Sequence, residues 1–322
     1  MLSMALAFGL GLVLCLIAYP YVIPFLHKLK FGQVVRLDGP QSHIAEKSGT
    51  PTMGGLVFIA SSIIATLIIE PKAVTHINLL IVILAFIGYG IIGFIDDFLI
   101  VVKKNNLGLK PAYKFLMQSV LAVIFYLVYR NVSNSSIIVP FLRIQIDLGW
   151  FYVVMVFIMF TGESNAVNLS DGLDGLCAGL VFLALIPFVY FCYRSNNMEI
   201  AIFLCAVMGS LVGYLRYNMH PAKIFMGDTG SLALGGLLAA VAMVTKEEIA
   251  LVLIGGVFVI EVLSVMIQVT YFKITHGKRI FRMSPIHHHF ELGGMPEQKV
   301  VYMFWTWGAL LAILGLVMGA LY

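Results

Sequence analysis

Residues 77–106 read INLLIVILAFIGYGIIGFIDDFLIVVKKNN: nineteen residues without a charge, then Asp96 and Asp97 side by side, then Lys103 and Lys104. The uncharged run has the length of a membrane-crossing helix, roughly 20 apolar residues. The first charges to follow it are two adjacent acids.

The rest of the chain repeats the pattern. It has 322 residues, 61% of them hydrophobic and only 11% charged, with a mean hydropathy of +0.98, a composition that excludes a water-soluble domain. Ten candidate spans follow, at about 2–26, 53–70, 77–95, 113–130, 148–161, 175–193, 199–215, 229–244, 249–272 and 300–322. The fold class expected is an all-α polytopic membrane protein of about ten transmembrane helices, organised as one domain over 1–322. The first span lacks a preceding basic stretch and outruns a signal-peptide core, so it reads as a retained helix.

Charge orients the expected bundle. All but five of the 20 Lys and Arg, namely Lys72, Arg130, Arg143, Arg194 and Lys246, fall in the loops after odd-numbered spans, which marks those loops as cytoplasmic. Both termini then face out. The pI near 8.8 belongs to these loops rather than to a nucleic-acid surface. Cys15, Cys177, Cys192 and Cys205 sit in apolar spans without metal-ligand spacing and read as buried small hydrophobes. The outer segment 131–147 alternates enough for a short hairpin.

The acids Asp38, Glu46, Asp96, Asp97, Glu163, Asp171, Asp174, Asp228, Glu291 and Glu297 all fall on the same, cytoplasmic side. The orientation rule counts Lys and Arg and does not ask for them. They belong to compact polar clusters: KSGTPTMGG at 47–55, the Asp96/Asp97 pair, NAVNLSDGLDG at 165–175, NMHPAKIFMGDTGS at 218–231 and SPIHHHFELGG at 284–294. Asn168, Asp171 and Asp174 recur every third residue and are neighbours if helical, while Gly172 and Gly175 allow a loop or a broken helix equally. Asp228 to Ser231 precede an apolar span, a helix N-terminus suited to an anion. Carboxylates beside lysines and such a helix end make sense together with Mg²⁺, which shares oxygen ligands with substrate phosphates, and point to phosphoryl transfer.

Each cluster has a plainer reading. The acid pair is a solvated helix end, and the Asn168–Asp174 segment is a turn. The three histidines favour phosphate or substrate contact over a metal, since only His287 and His289 share a face if extended. Glu261, within GGVFVIEVLSV, is either functional or one half of a buried hydrogen-bonded pair.

Taken in order, FIDD at 94–97, NLSDGLDGL at 168–176, PAKIFMGDTGSLALGG at 221–236 and PIHHHFELGG at 285–294 resemble the phospho-N-acetylmuramoyl-pentapeptide transferases. These are a branch of the polyprenyl-phosphate N-acetylhexosamine-1-phosphate transferase superfamily, and the triple His points to that branch. The resemblance implies a Mg²⁺-dependent homodimer in the bacterial cytoplasmic membrane. Its active site faces the cytoplasm and moves phospho-MurNAc-pentapeptide from UDP-MurNAc-pentapeptide to undecaprenyl phosphate, giving lipid I and UMP for peptidoglycan synthesis.

It also implies roles. Asp228 matches the magnesium-ligating Asp, and Asp96 and Asp97 match the catalytic pair, one of them the base or orienting group for the lipid phosphate. Lys47, Thr52, Asn168, Asp171, Asp174 and Phe225 match a uridine pocket, with Phe225 available to stack on uracil. Asn218, Gln268, His287 and His288 fit donor and phosphate contacts, and Lys104 or Lys114 would neutralise phosphate. Direct in-line transfer is preferred to a two-step route through an aspartyl intermediate, and both stay open. The alternatives are a sister transferase using UDP-GlcNAc, a secondary transporter, whose polar groups would sit at the bilayer midplane, and an intramembrane prenyltransferase. No GxxxxGK[ST] occurs, so a P-loop ATPase is excluded.

Overall fold

The computed structural model describes residues 1–29, 49–103, 108–140, 142 and 144–320. In chain order the helices are α1 (Leu2–Lys28), α2 (Gly55–Ile69), α3 (Ile77–Lys103), α4 (Pro111–Tyr129), α5 (Phe151–Leu169), α6 (Leu176–Arg194), α7 (Met198–Asn218), α8 (Gly227–Thr245), α9 (Glu248–Ile254), α10 (Gly256–Ile274), α11 (Ile286–Glu291) and α12 (Glu297–Ala320). Among the described residues nine of these are long and apolar enough to cross a membrane. α2 is equally apolar but has 15 residues. The protein is a multi-pass, predominantly helical membrane protein, as expected.

Among the described residues the sheet content is the hairpin foreseen between α4 and α5. β1 (Ser136–Val139) pairs antiparallel with β2 (Ile144–Asp147), Ser136 opposite Asp147 and Val139 opposite Ile144. Lys246, which follows α8, donates to the Asn134 carbonyl at 2.6 Å and stands over the Tyr129 and Tyr152 rings at 5.1 and 4.6 Å. This ties the hairpin to one end of the bundle.

Three boundaries differ from the sequence reading, each for a visible reason. The third span does not stop at 95: α3 continues to Lys103 with Asp96 and Asp97 inside it, because both acids find partners on neighbouring elements. The fifth, read as 148–161, is α5 over Phe151–Leu169. Its polar run is packed rather than exposed: Glu163 is buried and Asn165 Nδ2 donates to Gln118 Oε1 at 2.9 Å. The ninth divides at Gly255 into α9 and α10.

The centre of the bundle is α8, buried over nearly its whole length. Its small residues let α3 and α5 close on it, Tyr89 of α3 lying where a Cβ on Gly236 would go. α1 lies along α7, and Tyr19 reaches across to donate to the Gly54 carbonyl at 3.0 Å. The start of α8 is thereby fixed against α3, α5 and the residues before α2.

Candidate active site

Consecutive residues of a helix leave its axis about 100° apart, so Asp96 and Asp97 reach different partners. Asp97, 5% exposed, turns to the N-terminus of α8. Its Oδ1 accepts the Asp228 N–H (3.1 Å), and its Oδ2 accepts the Thr229 N–H (3.0 Å) and the Thr229 hydroxyl (2.6 Å). No local side chain caps α8. A carboxylate from α3 therefore satisfies the orphan donors of its first turn, with the sign the helix dipole favours.

Two glycines permit this approach. Gly227 has φ +69°, and a Cβ there would run into Asp97 Oδ2 and stand 2.6 Å from Thr52 Oγ1. Gly93, one turn before Asp97, lies where a Cβ would overlap the Asp228 carbonyl. A larger residue at either place would separate Asp97 from its donors.

Asp96 turns instead to Lys114 and to the side chain of Asp228. Asp96 Oδ1 accepts the Leu109 N–H at 2.7 Å, and its Oδ2 is 4.0 Å from Lys114 Nζ. Lys114 also pairs directly with Asp228 Oδ2. Asp228 Oδ1 accepts from Asn168 Nδ2 at 2.7 Å, and the same amide donates to Ser231 Oγ at 2.8 Å. The later part of α3, the start of α4, the end of α5 and the start of α8 thus converge on three carboxylates and one ammonium. That excess of negative charge on hard oxygen donors suits a divalent cation. Both Asp97 oxygens are taken by α8, and those of Asp228 are met by Asn168 and Lys114, so a cation on Asp228 would take the place of the ammonium.

The residues before α2 are paired to the loop before α8. Phe225 N–H donates to the Pro51 carbonyl (2.8 Å), Gly54 N–H to the Phe225 carbonyl (2.8 Å), and Gly55 N–H to the Met226 carbonyl (3.1 Å). Thr52, buried beside Gly227, and Phe225, half-buried, are thereby held at the start of α8. Lys47 and Lys104 lie outside the described residues.

The Asn168–Asp174 motif is a broken helix, and its ends part company. Asn168 is in the last turn of α5 and serves Asp228, whereas residues 170–175 form a turn closed by Gly175 at φ +82°. Asp171 is half-buried on that turn. Asp174, 3% exposed, enters a second cluster: its Oδ2 accepts the Ala222 N–H (2.9 Å) and lies 3.3 Å from His220 Nδ1, and its own N–H donates to Glu297 Oε1 (2.7 Å). Ligand atoms of Asp174, His220 and Glu297 all lie within 4.8 Å of one another. Sequence reasoning missed His220 and Glu297 as site members, since they stand 46 and 123 residues from Asp174.

Two other expected contacts are engaged with backbone. Asn218 accepts the Gly175 N–H (3.0 Å) and donates to the Ile224 carbonyl (2.9 Å), so it joins the 170–175 turn to the loop before α8. Gln268 accepts from Ile280 and Phe281 (both 3.0 Å) and donates to the Phe281 carbonyl (3.0 Å). The three histidines lie on the short helix α11 rather than on a strand, and they diverge. His287 goes to Glu261, His288 to Glu291 (3.0 Å), and His289 Nδ1 accepts the Arg282 N–H (3.1 Å).

Residues 79–246 match the model of glycosyl transferase family 4, and residues 47–59 match phospho-N-acetylmuramoyl-pentapeptide-transferase signature 1. The chain is 52% identical over 309 residues to the phospho-N-acetylmuramoyl-pentapeptide-transferase of Halalkalibacterium halodurans, covering 95% of this chain and 94% of that protein. It is 50% identical to the enzyme of that name from Bacillus subtilis, over 95% of both chains. With the one from Geobacillus kaustophilus the identity is 48%, over 98% and 97%. At this identity over nearly the full length, the chain is a member of the phospho-N-acetylmuramoyl-pentapeptide-transferase family.

Proposed function

We propose that the chain transfers phospho-MurNAc-pentapeptide from UDP-MurNAc-pentapeptide to undecaprenyl phosphate, giving lipid I and UMP, the first membrane step of peptidoglycan synthesis. The observation that carries this reading is the meeting of Asp96, Lys114, Asn168 and Asp228 where four helices converge. A phosphate on an embedded lipid and a soluble nucleotide can reach the same few atoms there. The whole of 1–322 acts as one transferase domain in the bacterial cytoplasmic membrane, with both termini outside, the basic loops and the site on the cytoplasmic face, and two copies forming a homodimer.

In the reaction a phosphate oxygen of the lipid attacks the sugar-bearing phosphorus of the donor. The bond from that phosphorus to the bridging oxygen breaks, and its electron pair leaves with UMP. The attacking oxygen is ionised near neutral pH, so the chain must chiefly bring two anions together and meet the charge that develops on the leaving phosphate. Lys114 supplies positive charge. Asp96 orients the lipid phosphate and accepts its proton where one remains. Asp97 positions Asp228 through the helix end it caps. Asp228 would hold Mg²⁺, with Asp96 beside it, and the ion when bound would neutralise the diphosphate.

With all its oxygens engaged, Asp97 is a poor nucleophile, which favours the direct in-line route. Thr52, Asn168, Asp171, Asp174 and Phe225 form the nucleotide side, joined by Lys47, with the Phe225 ring against uracil. His288 lies towards the donor, and Lys104 joins Lys114 in meeting phosphate.

The test is UMP release by detergent-purified protein, with and without undecaprenyl phosphate and Mg²⁺, with UDP-GlcNAc alongside. Release that needs both additions and UDP-MurNAc-pentapeptide is expected. Preference for UDP-GlcNAc would make the chain a sister transferase, and no release with either donor would refute transfer.

A further inference from the structure

Glu261 lies in the apolar run 255–265 of the membrane-crossing helix α10 and is 0% exposed. Its partner is His287 of α11, also 0% exposed, with Nδ1 3.0 Å from Glu261 Oε1. Two atoms of this pair, Glu261 Oε2 and His287 Nε2, are buried without a hydrogen-bond partner among the described residues. A buried polar atom left in that state is costly. Exchanging a buried ionisable pair for apolar residues of like volume is often neutral or stabilising. Stability alone therefore does not account for these two groups.

What they hold is visible on the far side of the imidazole. His287 Nε2 lies against Gly172, where a Cβ would overlap it and stand 3.0 Å from Cε1. Gly172 is in the turn between Asn168 and Asp174. A continuous contact path thus runs from the carboxyl on α10, through the imidazole on α11, to the backbone of the turn that carries Asp171 and Asp174.

We propose that Glu261 and His287 are positioning residues for the donor nucleotide: the pair braces the turn at Gly172 and so sets Asp171 and Asp174. This rests on the reading of that turn as part of the nucleotide site. His287 acts here from behind the turn, and Gly172 is required because only a residue without a Cβ lets the imidazole close on it.

The test compares melting with kinetics in the full-length protein in detergent. The double variant Glu261→Met/His287→Leu removes both ionisable groups together. It should melt at or above the wild-type temperature while the KM for UDP-MurNAc-pentapeptide rises about tenfold and kcat stays within about threefold. A double variant with wild-type melting and wild-type KM, or with a loss confined to kcat, overturns the proposal. Gly172→Ala asks the same question from the turn, in case the double variant does not fold. Its added methyl group presses on the buried imidazole, so it should lower the melting temperature as well as raise the donor KM by about tenfold, and a wild-type KM there also overturns the proposal. Wild-type UMP release in the same assay separates the two readings. With it, unchanged variant KM values remove the bracing role and leave transfer standing; without it, the transfer reading falls and this inference falls with it.

Discussion

Replacing Asp97 with Asn should destabilise the protein, whereas the same change at Asp96 should not. Asp97 accepts three hydrogen bonds from the first turn of α8. An Asn keeps one oxygen, best placed where the Thr229 N–H and hydroxyl converge, and turns its NH₂ group towards the Asp228 N–H. One buried N–H is then left without an acceptor, at about 1–3 kcal/mol. Loss of a full negative charge at a helix N-terminus adds about 0.3–1 kcal/mol. The sum is about 1–4 kcal/mol. Asn at 96 can keep its carbonyl on the Leu109 N–H, and the pairing it gives up, 4.0 Å from a lysine already bound to Asp228, is worth under about 1 kcal/mol. Thermal unfolding in a single detergent, followed by a thiol-reactive dye on the buried Cys15, Cys177 and Cys192, should rank Asp97→Asn clearly below Asp96→Asn and wild type, although both variants lose transfer. If Asp97→Asn melts with the wild type, or Asp96→Asn melts lower than it, the division of labour between the two acids is wrong.

Gly93→Ala should lower transfer by about tenfold or more, since its methyl group falls on the Asp228 carbonyl and parts α3 from α8; UMP release at saturating donor measures it. Gly227→Ala forces a positive φ on a residue with a Cβ and presses it onto Asp97 and Thr52, so it should cost about 1–3 kcal/mol, read as a fall in melting temperature. Lys114→Met removes the ammonium that competes with a divalent cation for Asp228. Half-maximal activity should then come at lower Mg²⁺, while the maximal rate falls about tenfold or more; an unchanged Mg²⁺ dependence would contradict the shared site.

Much of the fold was legible because a bilayer asks for apolar length and little else. Runs such as 77–95 and 229–244 are helices in the structure. Two of the three boundaries that moved did so at polar residues whose partners come from far along the chain. Asp96 and Asp97 looked like the end of a span and are inside one, because α8 and Lys114, neither adjacent in sequence, satisfy them. Glu163 and Asn165 ended the fifth span on paper and are packed within α5.

For the site, residue types were legible while pairings were not. Threefold spacing grouped Asn168, Asp171 and Asp174, yet Gly172 and Gly175 break the helix and send its two ends to different clusters. Spacing also gave no hint that Asn218 and Gln268 spend their amides on backbone, or that His220 and Glu297 stand beside Asp174. Glu261 was recognisable as an anomaly in an apolar run, but its partner, 26 residues on, was not.

Asp228, held by Lys114, Asn168 and the helix end that Asp97 caps, is proposed as the metal-holding centre of phosphoryl transfer. The most direct measurement is lipid I and UMP formation from UDP-MurNAc-pentapeptide and undecaprenyl phosphate by Asp228→Asn, titrated with Mg²⁺ beside the wild type. Normal folding, retained donor binding and no transfer at Mg²⁺ concentrations that saturate the wild type are expected. An Asp228→Asn enzyme that makes lipid I with wild-type Mg²⁺ dependence would contradict that assignment.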